Sequence, residues 1–202
     1  MIGRDILEAI QPLVEAFEQL SVGYYIGGSV ASSAVGIPRS TLDADIVADL
    51  RSKHVQPMVR MLEDDYYIVD SMINDAISRR SSFNIICLKN SIKVDVFVPK
   101  RGAFEASEFG RKQTIRLGEG DYARDYEVAS PEDVVLRKLD WYRMGGGVSE
   151  RQWLDVLGIL KLNGMSLDMV YMKEWATDLG ISDLLEGALE DAGLSPLDNI
   201  EF

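Results

Sequence analysis

Residues 26 to 29 read Ile-Gly-Gly-Ser, and residues 43 to 45 read Asp-Ala-Asp. Two carboxylates one residue apart on a strand point to the same side and repel each other, and a glycine pair costs backbone entropy. A pattern unfavourable on both counts points to a bound ligand. Magnesium is a hard cation that prefers carboxylate and phosphate oxygens, and a pair of such ions contacts both the attacking and the leaving oxygen of a displacement at phosphorus. Asp43 and Asp45, joined by Asp95 from a later strand, supply donors of that kind. Gly27 and Gly28 let backbone approach phosphate oxygens, and Ser29 at a helix start adds a hydroxyl and free N–H groups. The chemistry these residues could support is the handling of a metal-bound nucleoside triphosphate: shielding its charge, aligning a nucleophile on the α-phosphorus and stabilising the departing pyrophosphate. Each piece alone has a plain structural explanation. A glycine pair is a turn, an Asp-x-Asp a solvated strand edge, and Asp95 beside Lys93 a surface ion pair. Only the combination discriminates.

The elements that must position these groups are legible in the hydrophobic periodicity. Ile6, Leu7, Ile10, Leu13, Val14, Phe17 and Leu20 fall at helical spacing, which predicts an amphipathic helix over residues 5–20. A short strand, "VGYYIGG", ends in the glycines. The small-residue run "SVASSAVG" reads as a short helix with Ser29 as N-cap and Gly36 as stop. "DADIVADL" alternates, with Asp43, Asp45 and Val47 on one face and Ala44, Ile46 and Ala48 on the other. A helix through Val55, Met58, Val59 and Leu62 follows, with Pro57 near its first turn, then a strand "YYIV" and a short helix "SMINDAIS". "SFNIICL" and "IKVDVFV" flank "KNS" and read as a β-hairpin whose second arm places Lys93, Asp95 and Phe97 on one face. Residues 100–125 are rich in glycine and charge and carry no clear pattern. At "SPEDVVLRKLDWYRM" the composition changes: Ser130 suits a cap, Pro131 the first helical position, and Glu132 and Asp133 the first turn. Four helices follow up to Gly193, separated by "GGG", "NGMS" and "LGIS". The layout is an α/β domain over residues 1–129 and a C-terminal helical region over 130–202 packed on it.

Bulk properties bound the function. The 202 residues, 47% of them hydrophobic, are those of an ordinary globular protein, without a run of about 18 apolar residues that would span a membrane. Acidic residues among the apolar ones of the first twenty argue against a signal peptide. The lone Cys87, read as a buried strand thiol, allows no internal disulfide and fits a reducing cytoplasm. His54 is the only histidine, which leaves little room for zinc sites or histidine-based triads. The net charge of −12 argues against broad nucleic-acid binding. That charge is uneven: Arg79 to Arg116 holds nine basic and three acidic residues, hence +6, against −18 for the rest. The segment is either a solvated face or a phosphate-facing patch.

Glycine-serine, then Asp-x-Asp, then a later hydrophobic-Asp-hydrophobic strand resembles the polymerase-β-like nucleotidyltransferase superfamily; the elements here are "IGGS", "DADI" and "VDVFV". The chain resembles more closely still the bacterial branch of abortive-infection toxin nucleotidyltransferases (AbiEii-like), through "RSTLDAD" at 39–45, "SPEDVVLRKLDWY" and "SERQWLDVLGIL". The resemblance implies a nucleotidyltransferase-fold mixed sheet flanked by helices, of α/β (α+β) class, and residue roles to match. Gly28 and Ser29 would contact the β- and γ-phosphates, and Asp43 and Asp45 would ligate Mg2+ or Mn2+. Asp95 would complete the metal site and accept the attacking hydroxyl's proton, directly or by way of the ion. Lys138 looks like the family's triphosphate-touching lysine and Asp155 like its later aspartate, although both also have ready explanations as helical ion-pair partners. Arg39 would be structural or would neutralise phosphate. Trp141, Trp153 and Trp175 lie at apolar helical positions, where core packing is the better reading than stacking on a nucleobase.

The expected activity is magnesium-dependent transfer of NMP from an NTP to a hydroxyl on a tRNA, a protein or a small molecule, in a cytoplasmic protein that is a candidate toxin with a cognate antitoxin. The +6 segment around Asp95 favours a phosphate-bearing acceptor, with Arg111 and Lys112 as the cations to test. The competing reading is a non-catalytic nucleotide-binding or interaction module on the same fold.

Overall fold

The computed structural model describes residues 2–120 and 123–194, residue 165 by its backbone alone. Two compact units emerge, Met1–Ala31 with Arg39–Ala129, and Ser32–Pro38 with the chain from Ser130 onward.

The first unit is built on one mixed sheet. Its strands are β1 (Tyr24–Ile26), β2 (Asp43–Ala48), β3 (Tyr66–Tyr67), β4 (Ser82–Cys87), β5 (Lys93–Phe97), β6 (Gln113–Leu117) and β7 (Arg124–Val128), in the spatial order β3-β4-β5-β2-β1-β7-β6. β2 runs parallel to β5 and antiparallel to β1, and β1 runs parallel to β7. The central strands bury every second residue: Ala44, Ile46, Ala48, Val94 and Val96 are fully buried, as is Ile85 on β4. Helix α1 (Arg4–Gln19) presents its buried face of Ile6, Leu7, Ile10, Leu13, Val14 and Phe17 and contacts β2 and β5. The Tyr66 hydroxyl donates to the Ala9 carbonyl at 2.8 Å and ties the far edge of the sheet to that helix. The other face of β2 and β5 stays partly open, and the aspartates lie there.

Helices α2 (Gly28–Val35), α3 (Ser52–Leu62), α4 (Asp70–Arg79) and α5 (Ala103–Arg111) complete the strand connections. Several local expectations need correction. α2 begins one residue before Ser29, with the Gly27 carbonyl accepting from Ala31 N–H at 3.0 Å, so Ser29 sits in the first turn and is not the cap. Pro57 is the sixth residue of α3 rather than a first-turn residue. β3 is two residues long because Val69 already caps α4. The β4–β5 reversal takes in Leu88 and Ile92, since the Leu88 N–H turns away to the Asp65 carbonyl at 2.9 Å. The unpatterned stretch holds α5, β6 and the start of β7.

The second unit contains α6 (Pro131–Met144), α7 (Glu150–Asn163), α8 (Met169–Leu179) and α9 (Ser182–Asp191), with a 3-10 turn at Gly164–Ser166. Ser130 caps α6, its hydroxyl accepting from Asp133 N–H at 3.2 Å, and Pro131 follows at the position where its missing N–H costs nothing. The end of α2 belongs to this unit: Gly36 lies against Ile159, and Asn163 donates to the Val35 carbonyl at 2.7 Å. The tryptophans are not core residues. Trp141 is 44% exposed, Trp153 is half-buried with its indole N–H donating to Asp191 at 3.0 Å, and half-buried Trp175 packs edge-on to Tyr171. Helical spacing placed them on apolar positions, but each keeps part of its indole at the surface. Among the described residues no helix is long and apolar enough to cross a membrane.

Candidate active site

Parallel pairing of β2 with β5 fixes the arrangement of carboxylates. Asp45 lies directly opposite Asp95, and Asp43 opposite Lys93. Residues opposite each other in register share a face, so Asp43, Asp45 and Asp95 lie on the same side of the sheet. Antiparallel pairing on the other flank sets Asn84 opposite Asp95. The row therefore reads Asn84, Asp95, Asp45 across three neighbouring strands.

Gly28 explains the glycine pair. Its φ is +53°, a conformation that favours glycine, and a Cβ there would overlap the Asp45 carboxylate. Gly27 makes the matching backbone contact, its N–H donating to the Asp45 carbonyl at 2.9 Å. The two glycines thus seat the start of α2 directly on the carboxylate of the central strand. Ser29 accepts at its hydroxyl from the Arg39 guanidinium at 2.7 Å, which brings a cation to the same turn. Thr41 donates to Asp43 Oδ1 at 2.7 Å and orients that carboxylate from the loop before β2.

One feature was not anticipated beyond a surface contact. Lys93 Nζ is 2.6 Å from Asp95 Oδ2, and its ammonium is held protonated above the usual lysine range. The hydrogen bond to Asp95 is the largest cause; the charges of Asp95, Asp43 and Asp45 add to it against the burial that opposes it. All three carboxylates therefore act on a single positive charge. The sequence carried this in "KVDV", where the i, i+2 spacing puts Lys93 and Asp95 on one face.

Lys138 and Asp155 belong to the second unit. Lys138 Nζ is 2.8 Å from Asp155 Oδ2, with side chains only 11% and 7% exposed. They are each other's ion-pair partner across α6 and α7. Of the basic pair singled out in the +6 segment, Lys112 is committed to the Tyr24 carbonyl (3.3 Å) and to Glu127 (3.1 Å), and Arg111 is half-buried.

Three aspartates offer the hard oxygen donors that magnesium or manganese requires, and the Lys93 ammonium already stands as a cation among them. The donor chemistry fits a divalent ion. Among the described residues, however, no three acidic, histidine or cysteine side chains stand close enough to form a ready-made cage, and Asp95 is engaged by Lys93. Asp43 and Asp45 are the pair that would hold an ion first, and Asp95 would join as Lys93 yields.

No family model matches the chain, and no curated protein matches its sequence. Solved structures do. An antigenic nucleotidyltransferase-like protein from Paracoccidioides brasiliensis superposes with a TM-score of 0.56 at 15% identity, covering 95% of this chain and 93% of that one. ANT(2")-Ia in complex with adenylyl-2"-tobramycin superposes at 0.55 and 14% identity, covering 85% and 94%. Sequence likeness this low speaks only for architecture, and on that level the chain carries the nucleotidyltransferase fold.

Proposed function

We propose that the protein is a nucleotidyltransferase that moves NMP from an NTP to an acceptor hydroxyl with the help of magnesium or manganese. The observation that carries this reading is the convergence at Asp45: its carboxylate lies against Gly28 at the head of α2 and opposite Asp95 on β5. Gly28 and Ser29 cradle the β- and γ-phosphates, and Arg39, already at the Ser29 hydroxyl, neutralises them. Asp43 and Asp45 hold the divalent ion, which when bound shields the triphosphate and stabilises the charge that develops on it. The acceptor oxygen attacks the α-phosphorus, the bond from that phosphorus to the bridging oxygen of pyrophosphate breaks, and pyrophosphate leaves with the electron pair. The acceptor proton passes to the Asp95 carboxylate, whose Oδ2 lies 2.6 Å from Lys93 Nζ.

The acceptor hydroxyl belongs to a tRNA, a protein or a small molecule. The solved neighbour that holds adenylyl-2"-tobramycin makes polyhydroxylated amines the first small molecules to test. Kinship with abortive-infection toxins, and a cognate antitoxin, belong to the same proposal; arrest of growth on expression, relieved by co-expression of a neighbouring gene, would support them. The Lys93–Asp95 ion pair favours one second reading, a nucleotide-binding module whose third carboxylate is permanently neutralised.

Incubation with each α-labelled NTP, magnesium and cell extract separates the two. Label appearing in an acceptor, and lost with Asp43→Asn, supports transfer. NTP binding without pyrophosphate release under any of these conditions supports the module.

A further inference from the structure

β2 and β5 end in a second feature that the aspartates do not use. Past their last residues opens a cleft of about 1170 Å³, lined by Asp49, Arg51, Arg80, Lys100, Arg101 and Glu105 among others. Four cations face two carboxylates there, in a chain whose net charge is −12.

The +6 segment resolves into paired and unpaired members. Arg79 pairs with Asp75, Lys89 with Glu8, Lys93 with Asp95, Lys112 with Glu127 and Arg116 with Asp125. Lys100 and Arg101, both exposed and both on this cleft, make no hydrogen bond or ion pair among the described residues. Opposite them, Arg80 is held by the Pro99 carbonyl at 3.1 Å, and Arg51 by Asp49 at 3.1 Å, with Arg80 also 4.0 Å from Asp49. One aspartate thus serves two arginines, and two further cations have none. Glu105 turns back over Gly102 at the rim, where a Cβ would overlap its carboxylate. Asp49 thus holds the place beside Arg51 and Arg80 that an incoming anion would take.

Distance separates this cleft from the triphosphate cradle. Asp49 lies four residues beyond Asp45, and Pro99 four beyond Asp95, which at the rise of a strand is about 13 Å. Antiparallel pairing of β1 with β2 puts Gly27 and Gly28 at the opposite end, beside Asp45. A phosphate in the cleft is therefore not one of the phosphates on Gly28 and Ser29.

We infer that this cleft is a second phosphate site, which takes the phosphate groups of a ligand other than the triphosphate undergoing transfer. Its guanidinium and ammonium groups match phosphate oxygens through charge-assisted hydrogen bonds. The inference goes beyond the proposed transfer activity and does not require it.

The test is calorimetric titration of the full chain with inorganic pyrophosphate, in EDTA so that no ion held by Asp43 and Asp45 recruits it. The wild type binds; Lys100→Gln with Arg101→Gln weakens binding about tenfold or more; Asp43→Asn with Asp45→Asn leaves it unchanged; Glu105→Gln tightens it. Lys100 and Arg101 are exposed, and an unchanged thermal midpoint confirms that their variant is folded. Failure of the wild type to bind pyrophosphate overturns the site, as does binding that survives the loss of both cations undiminished. Displacement of pyrophosphate by a 5′-phosphorylated RNA oligonucleotide, and not by its unphosphorylated twin, identifies a nucleic-acid source of the phosphate. Displacement by ATP alone identifies a free nucleotide.

Discussion

Lys93 Nζ lies 2.6 Å from Asp95 Oδ2, on the strand that runs in register with Asp43 and Asp45. The lysine thus neutralises, from within the chain, the charge that a divalent ion would otherwise meet. An ammonium that is half-exposed gives up such a contact at little cost, because exposed ion pairs contribute only about 0.2–1 kcal/mol. The pair is a competitor for the ion rather than a fixed strut.

Replacement of Lys93 by methionine is therefore expected to raise manganese affinity about two- to fivefold, as followed by electron paramagnetic resonance. Transfer activity measured at limiting metal should rise in parallel. A fall in affinity would mean that Lys93 organises the carboxylates and does not compete for them.

The carboxylate face shows what a sequence can and cannot reveal. Alternation in "DADIVADL" and "IKVDVFV" placed Asp43, Asp45 and Asp95 on half-open faces, because burial on one side of a sheet leaves a period of two in the sequence. The parallel register that sets Asp45 opposite Asp95 was not legible, since pairing between strands nearly fifty residues apart leaves no local mark. β6 and β7 were missed for a related reason: Gln113, Thr114 and Arg116 are exposed on an edge strand, so no apolar alternation betrays it. The second-unit helices were legible because Ser130 and Pro131 announce α6 and glycines separate the helices that follow. The phosphate cleft draws on Arg51, Arg80 and Lys100, which only the fold brings together.

Gly28→Ala tests the cradle. A residue with φ of +53° and a Cβ pays about 1–2 kcal/mol, and the methyl also overlaps the Asp45 carboxylate, which must turn aside. The expected result is a modest drop in thermal midpoint together with loss of manganese binding. Retention of manganese binding in a folded Gly28→Ala protein would show that Asp45 is not where the ion sits.

Lys138 and Asp155 call for a double-mutant cycle, because a nearly buried ion pair has a structural role whether or not it also meets a nucleotide. Lys138→Met alone removes the cation 2.8 Å from the nearly buried Asp155 carboxylate and is expected to cost about 3–5 kcal/mol in urea denaturation. Lys138→Met with Asp155→Leu removes both charges and should recover most of that loss. If the recovered double variant binds NTP as the wild type does, the pair is structural; weakened NTP binding in a protein of restored stability assigns Lys138 to the triphosphate.

Tyr126 carries the last prediction. Its side chain is 1% exposed, and its hydroxyl has no hydrogen-bond partner among the described residues. Burial pushes the phenol up to about 12, with the nearby Arg124 charge opposing. A buried hydroxyl without a partner keeps its desolvation cost, about 1–3 kcal/mol, so Tyr126→Phe should leave the protein as stable at neutral pH or stabilise it by about 1 kcal/mol. The sign at high pH follows from linkage. The folded state holds the phenolic proton to about 12 while the unfolded chain releases it near 10, so this group's contribution is intact below pH 10 and is lost as pH rises from 10 to 12. The phenylalanine variant lacks that loss, and the gap between the two proteins' urea midpoints should widen between pH 7 and pH 11 in favour of the variant. Tyr24 and Tyr66 are raised by burial as well and keep the variant itself sensitive to alkali. A Tyr126→Phe protein that is less stable than the wild type at both pH values would show that the hydroxyl is satisfied, by a buried water held against the sheet.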